Sequence, residues 1–116
     1  MKYMLLIYSN EASFQAASKA KVEEIVGAYG AYTEALNKAG VRVDSNRLQR
    51  SGSGSTVRVA NGKTQVLDGP YAETKEQLGG YYMIDVPDLD AALAWAARCP
   101  GAHHGIVEVR PLWIYN

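Results

Sequence analysis

The groups able to do chemistry fall into three clusters along the chain. Asp68, Tyr71, Glu73, Lys75 and Glu76 lie within nine residues of one another, bringing carboxylates, a phenol and an ammonium into one inter-strand connection. Such loops hold binding groups well, because the flanking strands fix the ends while the tip adapts. His103 and His104 are the two histidines, and an imidazole that titrates near neutrality can both donate and accept a proton. Glu108 and Arg110 sit two apart in the last apolar run, so on a strand they share a face, where the planar guanidinium could grip a carboxylate or an enolate. Each group also has a plainer use. Asp68 before Gly69-Pro70 could simply accept turn amides, Lys75 could pair with a neighbouring carboxylate, and Glu108 with Arg110 could hold an interface together.

Several chemistries lack their residues. There is no HExxH, no CxxC pair and no dense histidine-carboxylate spacing, so no metal is expected, and two adjacent histidines in an extended segment would point opposite ways. The Ser51-Gly52-Ser53-Gly54-Ser55 run lacks the lysine of a phosphate loop, and Gly79-Gly80 belongs to no dinucleotide fingerprint, so no cofactor is expected either. Cys99 has no acid-base partner in sequence and follows a helix, where the dipole disfavours a thiolate.

The elements that must position these groups follow from periodicity. Lys2 to Tyr8 reads as a strand, and apolar residues spaced by three and four from Val22 to Leu36 mark a helix over Ser18 to Ala39, stopped by Gly40. A short strand at Val41 to Val43 and an extended piece near Leu48 follow, and the serine-glycine run is expected to be irregular. Thr56 to Ala60 and Lys63 to Leu67, joined by Asn61-Gly62, form a hairpin signal. Thr74 and Gln77 have capping-box spacing, but Gly79-Gly80 would end a helix after one turn. A strand over Gly80 to Val86, a helix capped by Asp88 with a Leu89, Ala92, Leu93, Ala96 stripe, and a last strand over Ile106 to Trp113 complete the order. The expectation is one α+β domain over residues 1 to 116, ferredoxin-like with an extra β-hairpin.

Alternation assigns the faces. Tyr3, Leu5, Ile7, Tyr82, Ile84, Val86, Val107 and Val109 would meet the helices, leaving Lys2, Met4, Leu6 and Tyr8, then Tyr81, Met83 and Asp85, then Ile106, Glu108, Arg110 and Leu112 opposite. That second face is too apolar for solvent and too charged for a core, so a homodimer is expected to cover it and enclose a pocket, with Tyr8 and Tyr81 as wall and hydroxyl donors. The alternative is a solvated face carrying scattered apolar side chains.

Composition narrows the partners. The chain has 116 residues, 47% hydrophobic and 21% charged, which is ordinary globular material for one core. Twelve basic residues balance twelve acidic ones, giving no broad field for nucleic acid or an anionic membrane. The single cysteine excludes an internal disulfide, no apolar run approaches the ~20 residues of a membrane span, and the N-terminus reads as a strand, so a cytoplasmic location is expected.

The run Asp68-Gly69-Pro70-Tyr71-Ala72-Glu73-Thr74-Lys75-Glu76-Gln77-Leu78-Gly79-Gly80-Tyr81-Tyr82, with Asp85-Val86-Pro87-Asp88-Leu89-Asp90, the opening KYMLLIY and the closing HGIVEVRPLW, resembles the YCII-related family, specifically its DGPF group. Tyr71 stands where that motif has phenylalanine. The resemblance implies a subunit pairing into a dimeric α+β barrel, kinship to small enzymes and to domains associated with sigma factors, and importance for Asp68, Glu73, Thr74, Lys75, Tyr81, His104, Glu108 and Arg110. Acid-base relatives use a histidine on the first helix, but none lies between Ser18 and Gly40 here. The combined expectation is a small polar or anionic ligand held by Tyr8, Tyr71, Glu73, Lys75, Tyr81, Glu108 and Arg110. Asp68 or His104 would move a proton, in lyase or isomerase chemistry. The alternative is a ligand-sensing or protein-partner domain without chemistry.

Overall fold

The first strand organises everything that follows. In the computed structural model, which describes residues 1–115, β1 (Lys2–Ser9) lies inside a four-stranded antiparallel sheet of order β2-β5-β1-β6, formed with β2 (Arg42–Arg47), β5 (Gln77–Asp85) and β6 (Ile106–Pro111). Its alternating pattern sends Tyr3, Leu5 and Ile7 into the core, beside Tyr82 and Ile84 from β5. Helices α2 (Lys19–Lys38) and α3 (Leu89–Arg98) supply the other half of that core, with Leu36, Ala92, Ala96 and Cys99 packed on the strands. Val107 and Val109 pack against it from β6.

Aromatic geometry locks the layers. Tyr32 meets Tyr82 edge-on at 5.2 Å between ring centroids, and its hydroxyl donates to the Trp95 carbonyl at 2.7 Å. Tyr82 shares a 2.7 Å hydrogen bond with Thr33, so the buried phenols keep their partners. Asp88 caps α3 as expected, accepting from the Ala91 amide at 2.9 Å, and Ser18 caps α2, accepting from the Lys21 amide at 3.1 Å.

Five expectations need correction. First, α3 is rotated from the assumed stripe: Ala92 and Ala96 are inside while Leu89 and Leu93 are about half exposed. Alanines let the helix approach the sheet closely, and the arc through Ala92, Ala96 and Cys99 pushes the leucines to the rim. Second, β5 begins at Gln77, with Gly79 and Gly80 inside it and a register shift opposite Ile7 and Tyr8. A Cβ on Gly80 would sit 2.7 Å from the Asn46 carbonyl, so this glycine permits the β2 contact rather than ending a helix. Third, Thr74 and Gln77 bond carbonyls, Thr74 that of Glu76 and Gln77 that of Thr74, and form no capping box. Fourth, His103 and His104 lie on a short helix, α4 (Gly101–His104), instead of an extended segment. Fifth, the serine-glycine run is ordered as a 3-10 turn at Ser51–Ser53.

A short helix, α1 (Glu11–Ala16), was not visible in the apolar pattern, since it buries no residue fully. Its Glu11 carboxylate accepts from the Ser51 amide at 2.6 Å and the Ser51 hydroxyl at 2.8 Å, which is what orders the turn. Beyond it, β3 (Ser55–Ala60) and β4 (Lys63–Asp68) form a separate two-stranded sheet. Asn61 and Gly62 both have positive φ, 53° and 74°, as a tight hairpin turn requires.

Leu36→Ala should lower unfolding free energy by about 2–5 kcal/mol in urea melts, because the side chain is wholly buried. Burial pushes the Tyr29, Tyr32 and Tyr82 hydroxyls above the ordinary phenol range. The unfolded chain therefore loses these protons first, near pH ~10. Stability should be intact below that value and fall as pH rises above it, with phenolate absorbance from the three lagging the exposed tyrosines.

Candidate functional site

Among the described residues no helix covers the opposite face of the main sheet. Its central rows are set by register: Asn46, Tyr81, Leu6 and Glu108 lie across the four strands, and Asp44, Met83, Met4 and Arg110 lie beside them. Met4, Leu6 and Met83 are half-buried and make an apolar floor, with polar groups at both edges. At the β2 edge the Tyr81 hydroxyl donates to Asp44 Oδ2 at 2.7 Å and accepts from Asn46 Nδ2 at 2.9 Å. At the β6 edge Arg110 forks onto Glu108 Oε2, its Nε at 3.1 Å, while the Tyr8 hydroxyl points at Glu108 Oε1 from 3.4 Å. The Glu108 carboxylate holds the Arg110 guanidinium above its usual range, reinforcing its cationic form.

This arrangement can hold a flat molecule with polar substituents. The floor supplies dispersion contact, Arg110 offers N–H donors to an anion, and Asp44, Glu108 and the phenols can accept or return protons. Tyr8, Tyr81, Glu108 and Arg110 therefore share one face. Asp44 and Asn46 were missed by sequence reasoning. Their alternation with Val43 and Ser45 was the available signal, but only the pairing with β5 shows that they flank Tyr81.

The other expected site residues lie elsewhere in the subunit. Asp68 ends β4 opposite Ser55 and is exposed, as are Tyr71 and Glu73 in the following loop. Lys75 borders a shallow depression with Asn10, Glu11, Gln15 and Thr74. His104 lines a groove on the helix side with Ala31, Tyr32, Arg98 and His103, whose Nε2 is 3.1 Å from the Ala97 carbonyl. Asp68 and His104 thus line no common cavity within one chain. The physical reason is topological: one belongs to the detached hairpin, the other to the helical layer.

Cys99 is wholly buried, and desolvation pushes its thiol upward, disfavouring the thiolate that a nucleophile needs. Among the described residues no cluster of three or more histidine, cysteine or acidic side chains could hold a metal ion.

The family model of the YCII-related domain matches residues 1–116, the whole chain. The protein belongs to the YCII-related family. It is 39% identical over 118 residues to the uncharacterized protein R00369 of Rhizobium meliloti (strain 1021), covering 100% of this chain and 95% of that one. Among solved structures of similar fold is 5-chloro-2-hydroxyhydroquinone dehydrochlorinase (TftG) from Burkholderia phenoliruptrix AC1100, in complex with 2,5-dihydroxybenzoquinone. That match has a TM-score of 0.59 over 100% of this chain and 96% of that chain, at 13% identity, a likeness of fold. The α+β architecture of this YCII-related chain with its antiparallel sheets agrees with that neighbour.

Glu11→Ala should release the Ser51 turn. Hydrogen exchange at the Ser51 amide is expected to accelerate at least ~10-fold, while amides of β1 and β5 keep their protection, since a hydrogen bond to a charged group contributes about 1.5–3 kcal/mol.

Proposed function

We propose that this YCII-related protein binds a small polar or anionic organic molecule on the open sheet face, enclosed by a second copy, and exchanges protons with it. The observation that carries this reading is the apolar floor of Met4, Leu6 and Met83 between the Tyr81–Asp44 pair and the Glu108–Arg110 pair. In this reading the sheet order is ferredoxin-like and two sheets face one another as a dimeric α+β barrel, with each open face becoming pocket wall. The small, flat hydroxyquinone named with the structural neighbour supports a ligand of similar size and polarity. Arg110 would stabilise negative charge developing on the ligand, a role most effective in a partly dry site. Asp44 or Glu108 would accept the proton and the phenols would orient the ring.

Asp68 and His104 enter the same proposal only through the assembled dimer, where residues of two chains converge. The Asp68-Gly69-Pro70-Tyr71 run supports placement in the DGPF group. A buried lone Cys99 and the lack, among the described residues, of any helix long and apolar enough to cross a membrane fit the cytoplasmic reading. A second reading, a ligand-sensing or partner-docking domain of the kind linked to sigma factors, is favoured by the strong exposure of Trp113, Ile114 and Tyr115.

Sedimentation at micromolar concentration should give a dimer, and titration calorimetry should detect hydroxyquinones or small hydroxylated aromatic acids. Arg110→Gln is expected to weaken an anionic ligand at least ~10-fold, consistent with a lost charged hydrogen bond. Ligand C–H exchange with deuterated water should stop in Asp44→Asn or in Glu108→Gln while binding persists. A monomer that binds no such compound at millimolar concentration overturns the proposal.

A further inference from the structure

The β3–β4 hairpin has too little of its own subunit to rest on. Val57, Val59 and Val66 share one face, because Val57 pairs with Val66 and Val59 with Thr64, and all three are 60–65% exposed. All six residues of β4 are exposed. A lone two-stranded hairpin is marginal in water, and three valines on one side of it have no solvent role. The arm nevertheless has a fixed root. Gly69 donates to the Gly54 carbonyl at 2.7 Å, Thr56 bonds the Gly69 carbonyl at 3.0 Å, and the Ser51–Glu11 contacts hold the preceding turn.

The shape shows how far it projects. The radius of gyration is 16.2 Å, against about 13 Å for a compact chain of this length, and the molecule is only 19 Å thick while extending 48 Å in both other directions. Six-residue strands give an arm of roughly 20 Å.

We infer that the hairpin is an exchange arm: its valine face lies on the open sheet face of a second copy of this chain, so each pocket is walled by the partner's β3–β4. The inference rests on the two-copy reading above and adds to it which segment completes the site. Area favours this occupant. Four strands of about 20 Å present roughly 400 Å² in plan, half of the ~800 Å² per partner typical of a stable complex. The partner's arm covers part of that same face, and the arm itself adds roughly 200 Å² from outside the sheet, giving about 600 Å² per partner, the lower end of the range for specific complexes. The arm would meet that face at its margin, beside the floor of Met4, Leu6 and Met83, whose apolar side chains match its own and whose centre stays open to the ligand.

The test uses the full chain. A benzophenone maleimide is attached at Val59→Cys, or at Thr64→Cys beside it, which is selective because Cys99 is wholly buried. Irradiation should give a band of doubled mass whose crosslinked peptides join the arm to residues 2–8 or 80–85 of the other chain. In parallel, Val57→Lys/Val66→Lys should raise the dimer dissociation constant at least ~30-fold without changing the circular dichroism of the subunit. A dimer of unchanged affinity in that double variant, or crosslinks confined to the same chain or to the partner's hairpin, overturns the exchange arm and leaves the two-copy pocket standing. A wild-type monomer at micromolar concentration overturns both.

Discussion

The structure depends on an inequality between the two faces of one sheet. Two helices, α2 and α3, cover one side of the order β2-β5-β1-β6, and among the described residues no helix covers the other. Burying Tyr3, Leu5, Ile7, Tyr82 and Ile84 on the first side forces their neighbours in sequence outward, because side chains alternate along a strand. The same residues that build the core therefore dictate, one position away, the composition of the open face. A single-residue slip in β1 would exchange the two sets and destroy both.

The open face combines features that are seldom stable together in water. Its apolar middle gains by losing solvent, whereas Glu108, Arg110 and Asp44 gain by keeping it or by pairing. Tyrosines sit at the boundary on both sides, with an apolar ring toward the floor and a hydroxyl toward the charges. The described subunit buries no charged residue at all, so whatever electrostatic character the site has must come from being enclosed by something else.

Much of the fold was legible because it follows from period and punctuation. The strand at Lys2, the long helix stopped by Gly40, the Asn61-Gly62 hairpin and the Asp88 cap each rest on local chemistry that the neighbours in sequence carry themselves. The face assignment was equally readable, and it located Tyr8, Tyr81, Glu108 and Arg110 together. What failed depended on distant contacts. The rotation of α3 is set by how near alanines let it come to the sheet, the Ser51 turn is ordered by a carboxylate 40 residues away, and the Tyr81–Asp44 pair needs the β2–β5 register. Asp68 and His104 looked like partners because both types move protons, but residue type carries no information about which layer a side chain belongs to.

The position of β1 has a consequence for how the chain is made. It leaves the ribosome before either of its hydrogen-bonding neighbours, residues 77–85 and 106–111. During synthesis the apolar KYMLLIY segment must wait, unpaired, until about 70 further residues bring β5 to it, and longer for β6. Nascent chains stalled before residue 106 would expose one bare edge of that strand, which makes this sheet a natural client for chaperones that recognise extended apolar peptide.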